Sequence, residues 1–218
     1  MLPRMILSRG RRYLFIHIPK TGGTAMALAL EARAMKDDIM LGDTPKALKR
    51  RGKVPQGVAR GRLWKHATLA DLEGLVTARD LPDLFVFTLV RNPWDRAVSY
   101  YHWLRAQSFA HPAVGRARAL PFDAFLADPA TRAAFRASPA RSYVTGSDGV
   151  ERCDLFIRLE HLAEDAEPLC DHLGFPLVLP RANASRRGRD HRAYYTEATA
   201  ALVAEDCAED IRRFGYAF

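Results

Sequence analysis

A lysine, a glycine pair and flanking threonines stand close together in Pro19-Lys-Thr-Gly-Gly-Thr24, and a second polar run opens at Arg91-Asn-Pro-Trp-Asp95. Each set suits a bound oxyanion. Lys20 carries a compact, mobile positive charge, and Thr21 and Thr24 bring hydroxyl donors. Gly22 and Gly23 permit backbone angles that turn N–H groups inward, where other residues resist. Arg91 offers a fixed fork of donors suited to a phosphate monoester, and Ser99, roughly two helical turns on, is positioned to share that pocket. His66, at the expected C-terminal end of a short strand, is a further candidate site residue, because ligands bind at strand ends in open α/β sheets. Plainer readings stand beside these: a strand-to-helix turn with a solvated Lys20, an Arg91–Asp95 pair anchoring a helix, and a structural His66.

The elements around these residues decide what they can do. Tyr13–Ile18 is an apolar, aromatic run that reads as a buried strand, and Pro19 ends it. From Thr24 the Ala, Leu and Met content favours a helix, fading near Met35. Strand, glycine loop and helix together gather free N–H groups and the positive end of a helix dipole at one point. The lysine precedes the glycines, so this is not the G-x-x-x-x-G-K-[ST] nucleotide loop. Leu84–Val90 reads as a central parallel strand with Arg91 at its tip, Asn92 as helix cap and Pro93 in the first turn. No Asp falls within that strand to hold magnesium, which sets it apart from phosphate-hydrolysing relatives of the same plan.

Elsewhere, residues 1–12 read as a lead-in. Leu63–Ala67 is expected to be a short strand ending at His66. Thr68 is expected to cap a helix with Asp71, burying Leu69, Leu72, Leu75 and Val76. Asp154–Leu159 reads as a third strand, with a helix from Glu160 to Gly174, and Thr196 caps a final helix running to Phe214. Three strand–helix units in series imply an α/β fold with a central parallel sheet flanked by helices. A single domain over residues 1–218 is expected.

Two segments are unusually basic. Lys46, Lys49, Arg50, Arg51, Lys53, Arg60, Arg62 and Lys65 occur with no acidic residue between them. They read either as a solvated loop or as a surface for an acidic acceptor, within a variable stretch over 37–65. Pro180–Tyr195 includes Arg187 and Arg189 together with tyrosines, and suits either a nucleotide clamp or a nucleic-acid patch. The net charge of +8 points to an anionic partner without choosing among them. Cys153, Cys170 and Cys207 are widely spaced, which argues against a disulfide framework or zinc site and fits a reducing compartment. With no signal-length or membrane-length apolar run, the expectation is a soluble, cytoplasmic protein.

His17-Ile-Pro-Lys-Thr-Gly-Gly-Thr24 resembles the 5′-phosphosulfate loop of sulfotransferases, and Val90-Arg-Asn-Pro-Trp-Asp-Arg-Ala-Val-Ser99 resembles their 3′-phosphate motif. The closest group looks like the carbohydrate branch typified by heparan-sulfate 2-O-sulfotransferases and small bacterial relatives. Arg158-Leu-Glu-His-Leu162 and Asp210-Ile-Arg-Arg-Phe-Gly-Tyr216 are similar to the same group. The resemblance implies a three-layer, P-loop-like fold and a donor, 3′-phosphoadenosine 5′-phosphosulfate, whose sulfuryl group moves to an acceptor hydroxyl, a glycan in the first instance. It implies that Lys20, Thr21, Gly22, Gly23 and Thr24 hold the phosphosulfate, that Arg91 and Ser99 take the 3′-phosphate, and that no metal takes part. Arg187 and Arg189 join the donor-binding set. In context His66 is similar to the family's base. The alternatives are a nucleotide kinase or NTPase and a basic nucleic-acid-binding protein, with nucleic acid the less favoured partner.

Overall fold

The computed structural model describes residues 4–42, 44–54, 57–180, 188 and 190–218. In chain order its strands and α-helices are β1 (Arg4–Ser8), β2 (Tyr13–Ile16), α1 (Gly23–Ala32), β3 (Ile39–Gly42), α2 (Pro45–Arg50), β4 (Phe85–Val90), α3 (Pro93–Arg105), α4 (Pro112–Ala119), α5 (Phe122–Ala127), α6 (Pro129–Arg136), α7 (Ala140–Val144), β5 (Leu155–Arg158), α8 (Leu162–Asp165), α9 (Glu167–Leu173), α10 (Glu197–Asp206) and α11 (Ala208–Phe214). They group into two compact units, one of Met1–Val90 with Ala140–Asn183 and one of Arg91–Pro139 with Ala184–Phe218. Among the described residues no helix is long and apolar enough to cross a membrane.

The first unit holds a five-stranded sheet in the order β3-β1-β2-β4-β5. β2, β4 and β5 run parallel, as their near-continuous apolar sequences imply. The sheet as a whole is mixed, which corrects the all-parallel expectation: β1 runs antiparallel to both β2 and β3. Residues 1–12 are therefore more than a lead-in. Met5, Ile6 and Leu7 are almost wholly buried in the middle of the sheet. A tight turn, closed by the Arg12 N–H on the Arg9 carbonyl, joins β1 to β2. β3 and α2 likewise give regular structure to part of the 37–65 stretch.

Side-chain alternation sorts the strands' residues onto two faces. Ile6, Tyr13, Phe15, Phe87, Leu89 and Ile157 pack with Met26, Ala27 and Leu30 of α1 and Leu169 and Leu173 of α9. Leu14, Ile16 and Val86 pack instead with Ala67, Leu69, Leu72, Leu75, Val76 and Val144. The second face is thus covered by a coiled stretch and the short α7, not by the helix expected after Thr68. The cap itself forms: Thr68 N–H and hydroxyl both donate to the Asp71 carboxylate, and Asp71 N–H donates back to the Thr68 hydroxyl. The helix does not propagate, because Gly74 adopts φ +93 within a few residues. The apolar residues are buried all the same. Nor is Leu63–Ala67 a strand; the chain there is open coil and turn.

The second unit is helical. Asn92 caps α3 through Trp94 N–H and Asp95 N–H, as its place before Pro93 implies. Thr196 forms a capping box with Thr199 at α10. The expected final helix is broken at Cys207 into α10 and α11. Trp94, Ala97, Tyr101, Leu104, Phe125 and Val203 belong to its core.

Candidate functional site

In the first unit, β2 delivers the chain into the turn that contains Lys20. Lys20 itself lies at φ +68 and Gly22 at φ +86, so the backbone doubles back before α1 begins at Gly23, one residue earlier than expected. The Thr21 hydroxyl donates to the Ile18 carbonyl at 2.9 Å and is buried. Its proton closes the turn on the Ile18 carbonyl. α1 has no side-chain cap, a trait it shares with α5, α8, α9 and α11. A helix start without a side-chain cap keeps the positive end of its dipole directed at whatever occupies the turn.

Both glycines are set by close approach. A Cβ at Gly23 would lie 2.1 Å from Cδ2 of His17, and one at Gly22 would lie 2.7 Å from Cδ1 of Leu159. His17 is therefore wedged against the helix start. Its ring also stacks at 6.0 Å on Phe15 and sits 4.7 Å from the ring of His66. His17 has a part that sequence reasoning did not assign. Its signal was present only as its place one strand-end ahead of the loop.

His66 comes to the same spot from a distant part of the chain. Its Nδ1 lies 2.8 Å from the His17 carbonyl oxygen. A carbonyl only accepts, so Nδ1 must carry the hydrogen, and in the neutral ring Nε2 keeps its lone pair. The contact thus selects the tautomer that a base requires. Trp64 meets the His66 ring edge-on at 5.3 Å. The turn through Lys20, His17 and His66 are brought together within the first unit, which sequence spacing alone did not establish.

In the second unit, Arg91 follows the last residue of β4. Its Nε and Nη2 both donate to one Asp95 carboxylate oxygen, at 2.8 and 2.5 Å. The helix-anchoring pair that the sequence allowed is thus formed. Ser99 is buried one helical turn beyond Asp95, on the same face of α3. Arg187 and Arg189 lie outside the described residues. Nearby, Tyr195 donates its hydroxyl to the Trp94 carbonyl at 2.7 Å and packs on Phe122 and Phe218, so it is a core residue rather than a stacking platform. Tyr194 accepts the Gly188 N–H at 3.1 Å and meets His102 edge-on.

The basic 46–65 segment divides by role. Lys46 donates to the Glu31 carbonyl, Arg50 to that of Met35 and Lys53 to that of Lys36, so these three satisfy carbonyls at and beyond the end of α1. Arg60 pairs with Glu73 at 2.8 Å. Arg62 instead lies 5.6 Å from the centre of the Trp64 ring.

The model of the sulfotransferase family matches residues 3–217, nearly the whole chain. No curated protein matches it.

Proposed function

The chain belongs to the sulfotransferase family, and from that premise we propose that it moves a sulfuryl group from 3′-phosphoadenosine 5′-phosphosulfate to a hydroxyl of a carbohydrate acceptor. Membership makes it a transferase; the donor, the acceptor and the residue roles are our reading. Lys20, Gly22, Gly23 and Thr24, with the Thr21 backbone, hold the phosphosulfate. Arg91, oriented by Asp95, and Ser99 take the 3′-phosphate, with Arg187 and Arg189 adding to the donor clamp. The fold reading is the three-layer, P-loop-like arrangement of that family, with 37–65 on the acceptor side.

The observation that carries the mechanism is the His66 Nδ1–H on the His17 carbonyl. It supports a base that would take the proton at Nε2, since Nδ1 carries the ring hydrogen. The acceptor oxygen attacks sulfur in line, its proton passes to His66 Nε2, and the bond from sulfur to the phosphate oxygen breaks. Negative charge grows on that departing oxygen, where Lys20 and the N-terminal end of α1 stabilise it. A sulfuryl group carries less negative charge than a phosphoryl group, so fixed protein charge suffices and no metal is assigned.

The test is transfer from radiolabelled donor to a glycan panel, paired with thermal stabilisation by adenosine 3′,5′-bisphosphate against Mg-ATP. Stabilisation by the bisphosphate and label in the glycan are expected. Lys20→Ala should lower turnover by about 10²–10³-fold, the range for removing one stabiliser of a developing oxyanion. Native turnover in that variant, or a preference for Mg-ATP, overturns the reading.

A further inference from the structure

We propose that one end of the first unit, built around Met35, is a docking surface for an anionic phospholipid bilayer. The inference goes beyond the sulfotransferase reading and does not depend on it. Three stretches of the chain converge there. The turn between β1 and β2 brings Arg11 and Arg12, the connection from α1 to β3 brings Arg33 and Lys36, and the end of α2 with the turn after it brings Arg50 and Lys53. Arg11 Nε–H donates to the Arg33 carbonyl at 3.3 Å, Arg50 to the Met35 carbonyl at 2.7 Å and Lys53 to the Lys36 carbonyl. A Cβ at Gly10 would lie 2.6 Å from the Met35 sulfur, so the β1–β2 turn packs against that side chain.

These hydrogen bonds satisfy donors without cancelling charge, because a carbonyl is neutral. Among the described residues, Arg11, Arg12, Arg33, Lys36 and Arg50 form no ion pair, and Lys53 approaches the exposed Asp37 only at 4.0 Å. Glu31 and Asp38 are buried. Asp171 is exposed on α9 beside His172, whose Nε2 bonds the Arg11 and Arg12 carbonyls. The balance stays positive. Arg11 and Arg33 add a more specific feature, since both guanidiniums lie against the Phe175 ring, at 5.0 and 4.9 Å from its centre. Two like charges beside one phenyl repel each other, and bound phosphate removes that repulsion while matching the guanidinium forks.

Both nucleic acid and lipid headgroups carry phosphate, and Met35 favours the lipid. Its side chain is 41% exposed among the cations. An unbranched apolar chain gains little against a sugar–phosphate backbone, whereas at a bilayer it enters the acyl boundary while the cations around it meet the headgroups. A basic patch with an apolar insertion combines two signals, which is how a chain is held at a membrane surface without spanning it. Arg11 and Arg12 precede β2 and the Lys20 turn follows it, so docking uses the opposite end of that strand from the turn.

The experiment is sedimentation of the full chain with vesicles of phosphatidylcholine alone, or with about 30% phosphatidylserine, at about 0.1 M salt. The chain should sediment with the anionic vesicles, stay behind with the neutral ones, and be released at about 1 M salt. The triple variant Arg12→Gln, Arg33→Gln, Lys36→Gln should weaken partitioning by about 10²-fold, which is roughly fivefold for each cation near an anionic surface. Met35→Ser should weaken it by about three- to tenfold. All four side chains are exposed, so melting temperatures should not change. A control triple in the second unit, Arg105→Gln, Arg118→Gln, Arg212→Gln, removes the same charge and should weaken partitioning by less than about threefold. A DNA duplex at equal phosphate concentration should not release the chain from the vesicles. The proposal is overturned by no binding to anionic vesicles, by equal binding to neutral ones, or by equal losses in the two triple variants. Release by the duplex overturns it too, and assigns the patch to nucleic acid.

Discussion

At the scale of single residues, the proposed chemistry rests on the tautomer of His66. With Nδ1–H held on the His17 carbonyl, only Nε2 can take a proton. A base of this kind works when neutral, so kcat/KM should rise with pH across the range where imidazole deprotonates. His66→Ala should lower kcat by about 10²–10⁴-fold and remove that acidic limb, which is measured as a pH–rate profile. Affinity for adenosine bisphosphate should be preserved, since the loop amides and Lys20 remain. A surviving acidic limb in the variant would assign the proton to another group. Cys207 is a contrasting residue: burial pushes its thiol up to about 12, which leaves it a packing residue of the helical unit.

At the scale of elements, the turn from β2 into α1 is built by exclusion of side chains. The His17 imidazole occupies the space that a Cβ at Gly23 would need. Gly23→Ala should displace one or the other and cost about 1–3 kcal/mol of stability, as overpacking does. The same shift moves the helix start proposed to face the donor, so bisphosphate affinity should fall together with the melting temperature. Removing the ring in a His17→Ala, Gly23→Ala double variant should recover part of the stability. Equal losses in the single and double variants would show that the two residues do not compete for space. The Thr68–Asp71 box teaches the opposite lesson. Its reciprocal hydrogen bonds form in full, yet no helix follows, because a cap stabilises a helix start without supplying the turns beyond it.

At the scale of the whole molecule, a charged tie fastens neighbouring elements of the first unit. Asp165 accepts from the Arg158 side chain at 2.8 and 2.9 Å and from its backbone N–H at 2.9 Å, fastening the end of β5 to α8. The Arg158 hydrogen bonds hold its carboxyl below the ordinary 3.8, against the smaller opposing effect of burial. A depressed carboxylate contributes stability that is complete above the ordinary value and is lost as pH falls through the depressed one. Asp165→Asn should therefore destabilise by about 1–2 kcal/mol near neutral pH, and the gap to the native chain should close on acidification below 3.8. Urea unfolding at several pH values measures it, and a pH-independent gap would show that the charge is irrelevant.

Composition and short-range pattern by themselves determined the α/β class, the strand–loop–helix around Lys20, the strand ending at Arg91, and the caps at Asn92 and Thr196. Each is legible because its causes lie within a few residues: an apolar run, a glycine pair, a proline, a side chain reaching the next turn. Tertiary structure alone decided that β1 and β3 complete a mixed sheet, that Lys46, Arg50 and Lys53 bond carbonyls at and beyond the end of α1, and that His66 meets His17 across 49 residues of sequence. Those outcomes depend on which strands pair and which carbonyls find donors. Such choices are settled by burying both faces of one sheet at once, and no local spacing encodes that competition.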